Sequence, residues 1–105
     1  MNRETFQTLV NNEIIPNCIN IMNSKGLSYS GKEDCLGNFK RCAKMAGTTP
    51  EQTWLTYHTK HYDALCSFIR GEYSDSEPIE GRIMDLINYL ILFYAMVKEK
   101  KNESK

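Results

Sequence analysis

The chain has 105 residues, with 13 Lys and Arg against 13 Asp and Glu, 41% hydrophobic residues and 25% charged residues. That length holds one domain, and a domain of this size buries only ~65% of its unfolded surface, which leaves a lone copy marginal. The zero net charge excludes a DNA or RNA polymer as partner, because such affinity comes from neutralising many phosphates, and the hydrophobic content excludes disorder.

Four helices account for most of the sequence. The first is predicted over residues 3–24, where Phe6, Leu9, Val10, Ile14, Cys18, Ile21 and Met22 recur at three-to-four spacing. Pro16 should kink or split it, since proline brings no N–H to the ladder. Lys25-Gly26 supplies the usual stop, a cation near the carbonyl end followed by glycine. Residues 27–32 read as a loop by composition.

The second helix is predicted over residues 34–46, with Leu36, Phe39, Cys42 and Ala43 inward and Gly47 as its stop. Thr49-Pro50-Glu51-Gln52 carries the start signature of the third: a capping hydroxyl, a proline in the first turn, and a Gln able to close a capping box. Leu55, His58, Tyr62, Leu65 and Ile69 form its predicted stripe, and Gly71 ends it. After a polar loop over residues 72–77, Pro78 opens the fourth helix, predicted to reach residue 100. Ile79, Ile83, Leu86, Leu90, Tyr94 and Val97 form its stripe, yet Ile87, Ile91, Leu92, Phe93 and Met96 fill the other sides. A helix apolar all round must be buried all round. Three partner helices can hardly enclose it, so the spacing implies a second subunit, as a dimer or tetramer, and a binding site near the seam. The charged tail, residues 98–105, is expected to fray. The predicted fold is therefore all-α, a single four-helix bundle-like domain that self-associates.

No apolar run reaches the ~20 residues of a membrane span, and Met1-Asn2-Arg3-Glu4 opens no apolar signal region. Cys18, Cys35, Cys42 and Cys66 form no CxxC pair. Free, mostly buried thiols in a reducing cytoplasm are expected. No Gly-rich phosphate loop and no GxSxG elbow occur.

Polar residues in apolar surroundings are the informative ones. Asp85 and Asn88 interrupt the fourth helix one turn apart, with Arg82 a further turn back and Glu77 and Glu80 near its start. Burying Asp or Asn without partners costs about 1–3 kcal/mol each, so they should bind something. They either line a polar pocket or form an internal network, with Asp85 on Arg82 or Lys60 and Asn88 fixing register. Glu77 and Glu80 also complement a helix dipole. On the third helix, His58 and His61 stand three apart without a third zinc ligand; Lys60 and His61 suit a phosphate or a base edge. Arg41 lies in a basic run that reads first as a solvated face. Tyr29, a lone aromatic among Ser and Gly, can stack on a base or plug the bundle end.

Five blocks carry a resemblance: Lys25-Gly26-Leu27-Ser28-Tyr29-Ser30-Gly31, Asn38-Phe39-Lys40-Arg41, Thr49-Pro50-Glu51-Gln52-Thr53-Trp54, Lys60-His61-Tyr62-Asp63-Ala64-Leu65, and the run from Ser76-Glu77-Pro78 through Asp85-Leu86-Ile87-Asn88-Tyr89. In this order they resemble small bacteriophage proteins similar to the nucleotide-modification-associated and MazG-like group of all-α NTP pyrophosphatases. The resemblance covers residues 25–89. It implies an oligomeric helical bundle with Mg²⁺ held by carboxylates of two helices around a triphosphate. Glu77, Glu80, Asp85 and Asn88 match the fourth-helix part of that pattern. The facing ExxE pair is absent, and Ser28 stands where relatives often carry an acid.

The departure from the enzyme pattern favours a binder without catalytic residues, cofactor or metal. Some phage proteins of this kind resemble nucleotide sponges, which sequester cyclic dinucleotide signals of bacterial defence. In that reading Tyr29 stacks on a base and Lys60, Arg82 and Arg41 hold phosphates, while Asn38, His61, Asp85 and Asn88 read polar edges. The alternative is a divergent Mg²⁺-dependent nucleotide pyrophosphatase with Glu77, Glu80 and Asp85 on the metal. A helical protein-interaction module is the third reading.

Overall fold

The computed structural model describes residues 1–103, and these form four helices with no strand among the described residues. We label them α1 (residues 3–30), α2 (Gly37–Ala46), α3 (Pro50–Ile69) and α4 (Ile79–Glu103). The all-α expectation holds.

α1 is longer than its sequence suggests. Asn2 caps its start, Oδ1 accepting the Thr5 N–H at 2.8 Å. Helical residues run on past Pro16, so it does not split the helix. The preceding turn, Val10–Ile14, widens to a π-turn in which the Ile15 N–H bonds the Val10 carbonyl five residues back. That widening accommodates the carbonyl which the proline ring would otherwise strike. A second wide turn spans Met22–Gly26. Gly26 does not end the helix, because it keeps right-handed angles, φ −59° and ψ −46°. Glycine permits a stop without imposing one. Lys25 reaches across to Asp85, and Leu27–Ser30 continues the helix where a loop is predicted. The chain turns at Gly31, φ +73°.

α2 begins later than residue 34, because the Asp34 side chain builds the turn before it. Its Oδ1 accepts the Leu36 N–H at 3.0 Å and its Oδ2 takes Lys40 Nζ at 2.8 Å. α3 starts as predicted, with Thr49 Oγ1 accepting the Gln52 N–H at 3.2 Å. Gly47 and Gly71 take positive φ at the ends of α2 and α3.

The inward faces of α3 and α4 differ from the predicted stripes. On α3 the buried residues are Thr53 and Trp54, whereas Leu55, Tyr62 and Ile69 are 49%, 54% and 81% exposed. On α4 the buried set is Met84, Asp85, Leu86, Asn88 and Met96. Of the predicted stripe, Leu86 is buried and Ile83, Leu90, Tyr94 and Val97 are exposed. Periodicity fixes a helix's phase through contrast between faces, and α4 offers almost none. Helix α4 continues through Glu103, and the last two residues of the charged tail, 104 and 105, lie outside the described residues.

The core is small: Leu36, Phe39, Trp54 and Met96, flanked by Tyr89, Leu92 and Phe93. α3 and α4 run antiparallel, pinned where Trp54 Nε1 donates to the Tyr89 carbonyl at 2.6 Å and Trp54 packs on Phe93 at 4.6 Å between ring centroids. α1 crosses α4 where Cys18 Sγ meets Met84 Sδ at 3.5 Å. All four cysteines are free, but Cys18 alone is buried; Cys35 is exposed and Cys42 and Cys66 are half-buried. No helix of the described residues is long and apolar enough to cross a membrane.

Candidate functional site

A cavity of about 600 Å³ opens where the end of α1 meets α2, α3 and α4. Its size falls within the ~300–1,000 Å³ of small-molecule sites. All eight side chains singled out as ligand contacts line it. They come from four helices of the chain and line this one cavity together.

Tyr29 stands at the mouth on the last turn of α1, 60% exposed. Its backbone is held while its ring is free to meet a ligand: Arg41 Nη2 donates to the Tyr29 carbonyl at 2.8 Å. Asn38 is tied to the same turn, its N–H donating to Ser30 Oγ at 3.2 Å and its Oδ1 accepting the Ser30 hydroxyl at 2.6 Å. These contacts hold Tyr29 and Ser30 in the wall. An aromatic floor lies beneath, with Tyr57 and Tyr89 stacked at 6.4 Å and Phe39 edge-on to both. Burial pushes the Tyr89 phenol up to about 12, so it remains a hydroxyl and a donor at neutral pH.

The inner wall is polar. Asp85, 8% exposed, receives Lys25 Nζ on Oδ1 at 3.3 Å. Its other oxygen lies 3.8 Å from His61 Nδ1. That second contact is not an ion pair. Arg82 Nη1 sits 3.2 Å from the same Nδ1, and a guanidinium can only donate, so Nδ1 accepts and the ring is neutral with its proton on Nε2. Burial, the largest influence, holds the His61 imidazole below its ordinary value, and the Arg82 and Lys60 charges act in the same direction.

Arg82 is itself held by carboxylates. Nη2 donates to Asp75 from the preceding loop, and Nε lies 3.3 Å from Glu77 Oε2. Tyr73 donates its hydroxyl to the Glu77 carbonyl and fixes that loop. Arg82 Nε and His58 Nδ1 are buried without a hydrogen bond, and on Asn88 the whole polar end is. It is 6% exposed, and both side-chain atoms, Nδ2 and Oδ1, are buried without a hydrogen-bond partner. Asn88 is among the residues that line the cavity.

The lining holds four cations, Lys25, Arg41, Lys60 and Arg82, against two carboxylates, Glu77 and Asp85. A chain of zero net charge therefore has a locally positive cavity. Lys25 escaped sequence reading because a cation before a glycine reads as a helix-end residue. Its position here depends on α1 continuing past Gly26. Tyr57 and Tyr89 escaped because aromatics within helices read first as core.

The carboxylates do not fit Mg²⁺. Asp85 is committed to Lys25 and Glu77 to Arg82, while Glu80 is exposed and lies outside the cavity. A hard cation needs several oxygens converging on one point. Among the described residues no three His, Cys, Asp or Glu side chains group in that way. His58 is stacked between Trp54 at 4.6 Å and Tyr62 at 6.5 Å, outside the cavity lining, and does not pair with His61 as a ligand. No family model, curated protein or solved structure matches this chain.

Proposed function

We propose that this protein binds a nucleotide-type ligand, a base joined to phosphate, and holds it without cleaving it. The Asn88 amide carries the reading. A buried carboxamide with neither donor nor acceptor satisfied costs about 1–3 kcal/mol for each missing bond, and Asn88 is among the residues that line the cavity. A ligand edge presenting one acceptor and one donor side by side satisfies both atoms, as adenine does for Asn.

The remaining geometry supports the same chemistry. Tyr29 supplies a stacking face at the mouth. Lys60 and Arg41 supply charge for phosphate, and Arg82 can exchange Asp75 for a ligand phosphate in a bidentate contact. A protein that binds without turnover acts by lowering the free concentration of its ligand. That fits the phage sponges the sequence resembles and makes a cyclic dinucleotide signal the leading ligand.

The test is a thermal-shift screen of mono-, tri- and cyclic nucleotides with and without Mg²⁺, followed by chromatography of ligand released by denaturation. The expected result is a Mg²⁺-independent rise in Tm, since a ligand of the folded state stabilises it, with the ligand recovered intact. Cleaved nucleotide or released pyrophosphate would overturn the reading in favour of hydrolysis.

A further inference from the structure

The cavity uses one side of the α3–α4 hairpin, through Tyr57 and Lys60 on α3 and Asp85 and Asn88 on α4. The other side carries exposed apolar side chains, with Lys98 Nζ 5.7 Å from the centre of the Tyr94 ring. On α4, Ile83, Leu90, Tyr94 and Val97 are 39%, 55%, 65% and 39% exposed. With half-buried Ile87 they follow a strict four-three-four-three spacing, the seam of a coiled coil. On α3, Leu55, Tyr62 and Ile69 repeat every seven residues and are exposed as well. Together these side chains offer on the order of 800 Å², what each partner contributes to an interface of standard size.

We infer that this back face docks a second copy of the chain, with the two α4 helices antiparallel about a two-fold axis near Leu90. The seam is its own complement in that arrangement. Ile83 of one copy meets Val97 of the other, Ile87 meets Tyr94, and Leu90 sits at the centre. Beyond the apolar stretch, the next seam positions are Glu80 at one end and Lys101 at the other, both exposed. Antiparallel pairing sets Glu80 against Lys101 twice, whereas parallel pairing sets like charge on like charge. Two copies of a closed, isologous interface give a dimer and no open chain. The two cavities then face outward on opposite sides, so each binds its ligand independently of the pairing. The inference rests on the exposed seam and stands whatever the cavity binds.

Sedimentation equilibrium tests it. The wild type should weigh twice the 12.2 kDa of one chain. Leu90→Glu should yield a helical monomer, and Tyr94→Lys provides the same test should Leu90→Glu fail to fold. Glu80→Lys should raise the dimer Kd about tenfold by replacing two attractive contacts with repulsive ones, and adding Lys101→Glu should restore it. A wild type that stays monomeric from micromolar to millimolar concentration overturns the inference. So does a dimer indifferent to both seam substitutions, and failure of the double charge swap to restore affinity overturns the antiparallel arrangement.

Discussion

Lys25, in a wide turn near the end of α1, lies 3.3 Å from Oδ1 of Asp85 in the middle of α4, joining residues 60 apart in the chain. The contact closes the cavity wall and accompanies the continuation of α1 past Gly26: the Lys25 ammonium serves α4 instead of the carbonyls of its own helix. The Asp85 side chain is 10% exposed and that of Lys25 is 50% exposed, so the carboxylate depends on the pair far more than the ammonium does.

Removing the cation should therefore destabilise the fold through Asp85. Lys25→Met is expected to cost about 1–2 kcal/mol, less than a fully buried pair because solvent screens the exposed ammonium. Adding Asp85→Asn should recover part of that loss, since the stranded charge is gone. Urea unfolding of the two single variants and the double variant measures the coupling.

Asn88 separates stability from binding. Asn88→Leu keeps the side-chain volume and removes two buried, unpaired polar atoms. The unliganded protein should gain about 1 kcal/mol or remain unchanged. Nucleotide affinity should fall at least tenfold, the loss of about 1.4 kcal/mol. Calorimetric titration beside an unfolding curve reads both, and a destabilised variant would mean that the amide is satisfied in the unliganded protein.

Tyr29 should affect binding alone. It is 60% exposed, so Tyr29→Ala is expected to leave Tm within about a degree. Loss of a stacking face worth ~1–3 kcal/mol should weaken nucleotide binding roughly 5- to 150-fold. Tyr29→Phe, which keeps the face, should bind as the wild type does.

His61 sets a pH dependence whose sign follows from its surroundings. Asp85, Arg82, Lys60 and Glu77 all act on it, yet burial is the largest influence and holds it below the ordinary 6.5. The unfolded chain therefore takes up a proton near pH 6.5 that the folded chain refuses until lower pH. This contribution is fully present above that value and is lost as pH falls through it toward the folded pKa. His61→Asn should flatten the decline that sets in as pH falls through about 6.5. Asp34, held down chiefly by the Lys40 hydrogen bond, acts in a separate range; its contribution fades only as pH falls below about 3.8. Urea midpoints taken in half-unit steps distinguish the two.

Local chemistry made much of this protein legible in its sequence. Thr49 and Pro50 announce the start of α3 because a capping oxygen and a fixed φ act within one turn. Gly47 and Gly71 mark helix ends because they take positive φ, and the misplaced polarity of Asp85 and Asn88 pointed to a cavity. Tertiary structure decided what local rules leave open. Gly26 permits both a stop and a continuation, and the reach of Lys25 to Asp85 accompanies continuation. α4 is apolar around its whole circumference, so its periodicity carried no phase. Contacts with Trp54, Cys18 and Phe39 turned Asp85 and Asn88 inward and left Leu90 and Tyr94 outside. Sequence determines conformation where the deciding interaction spans a few residues; contacts between distant helices decide which face is buried when both are apolar.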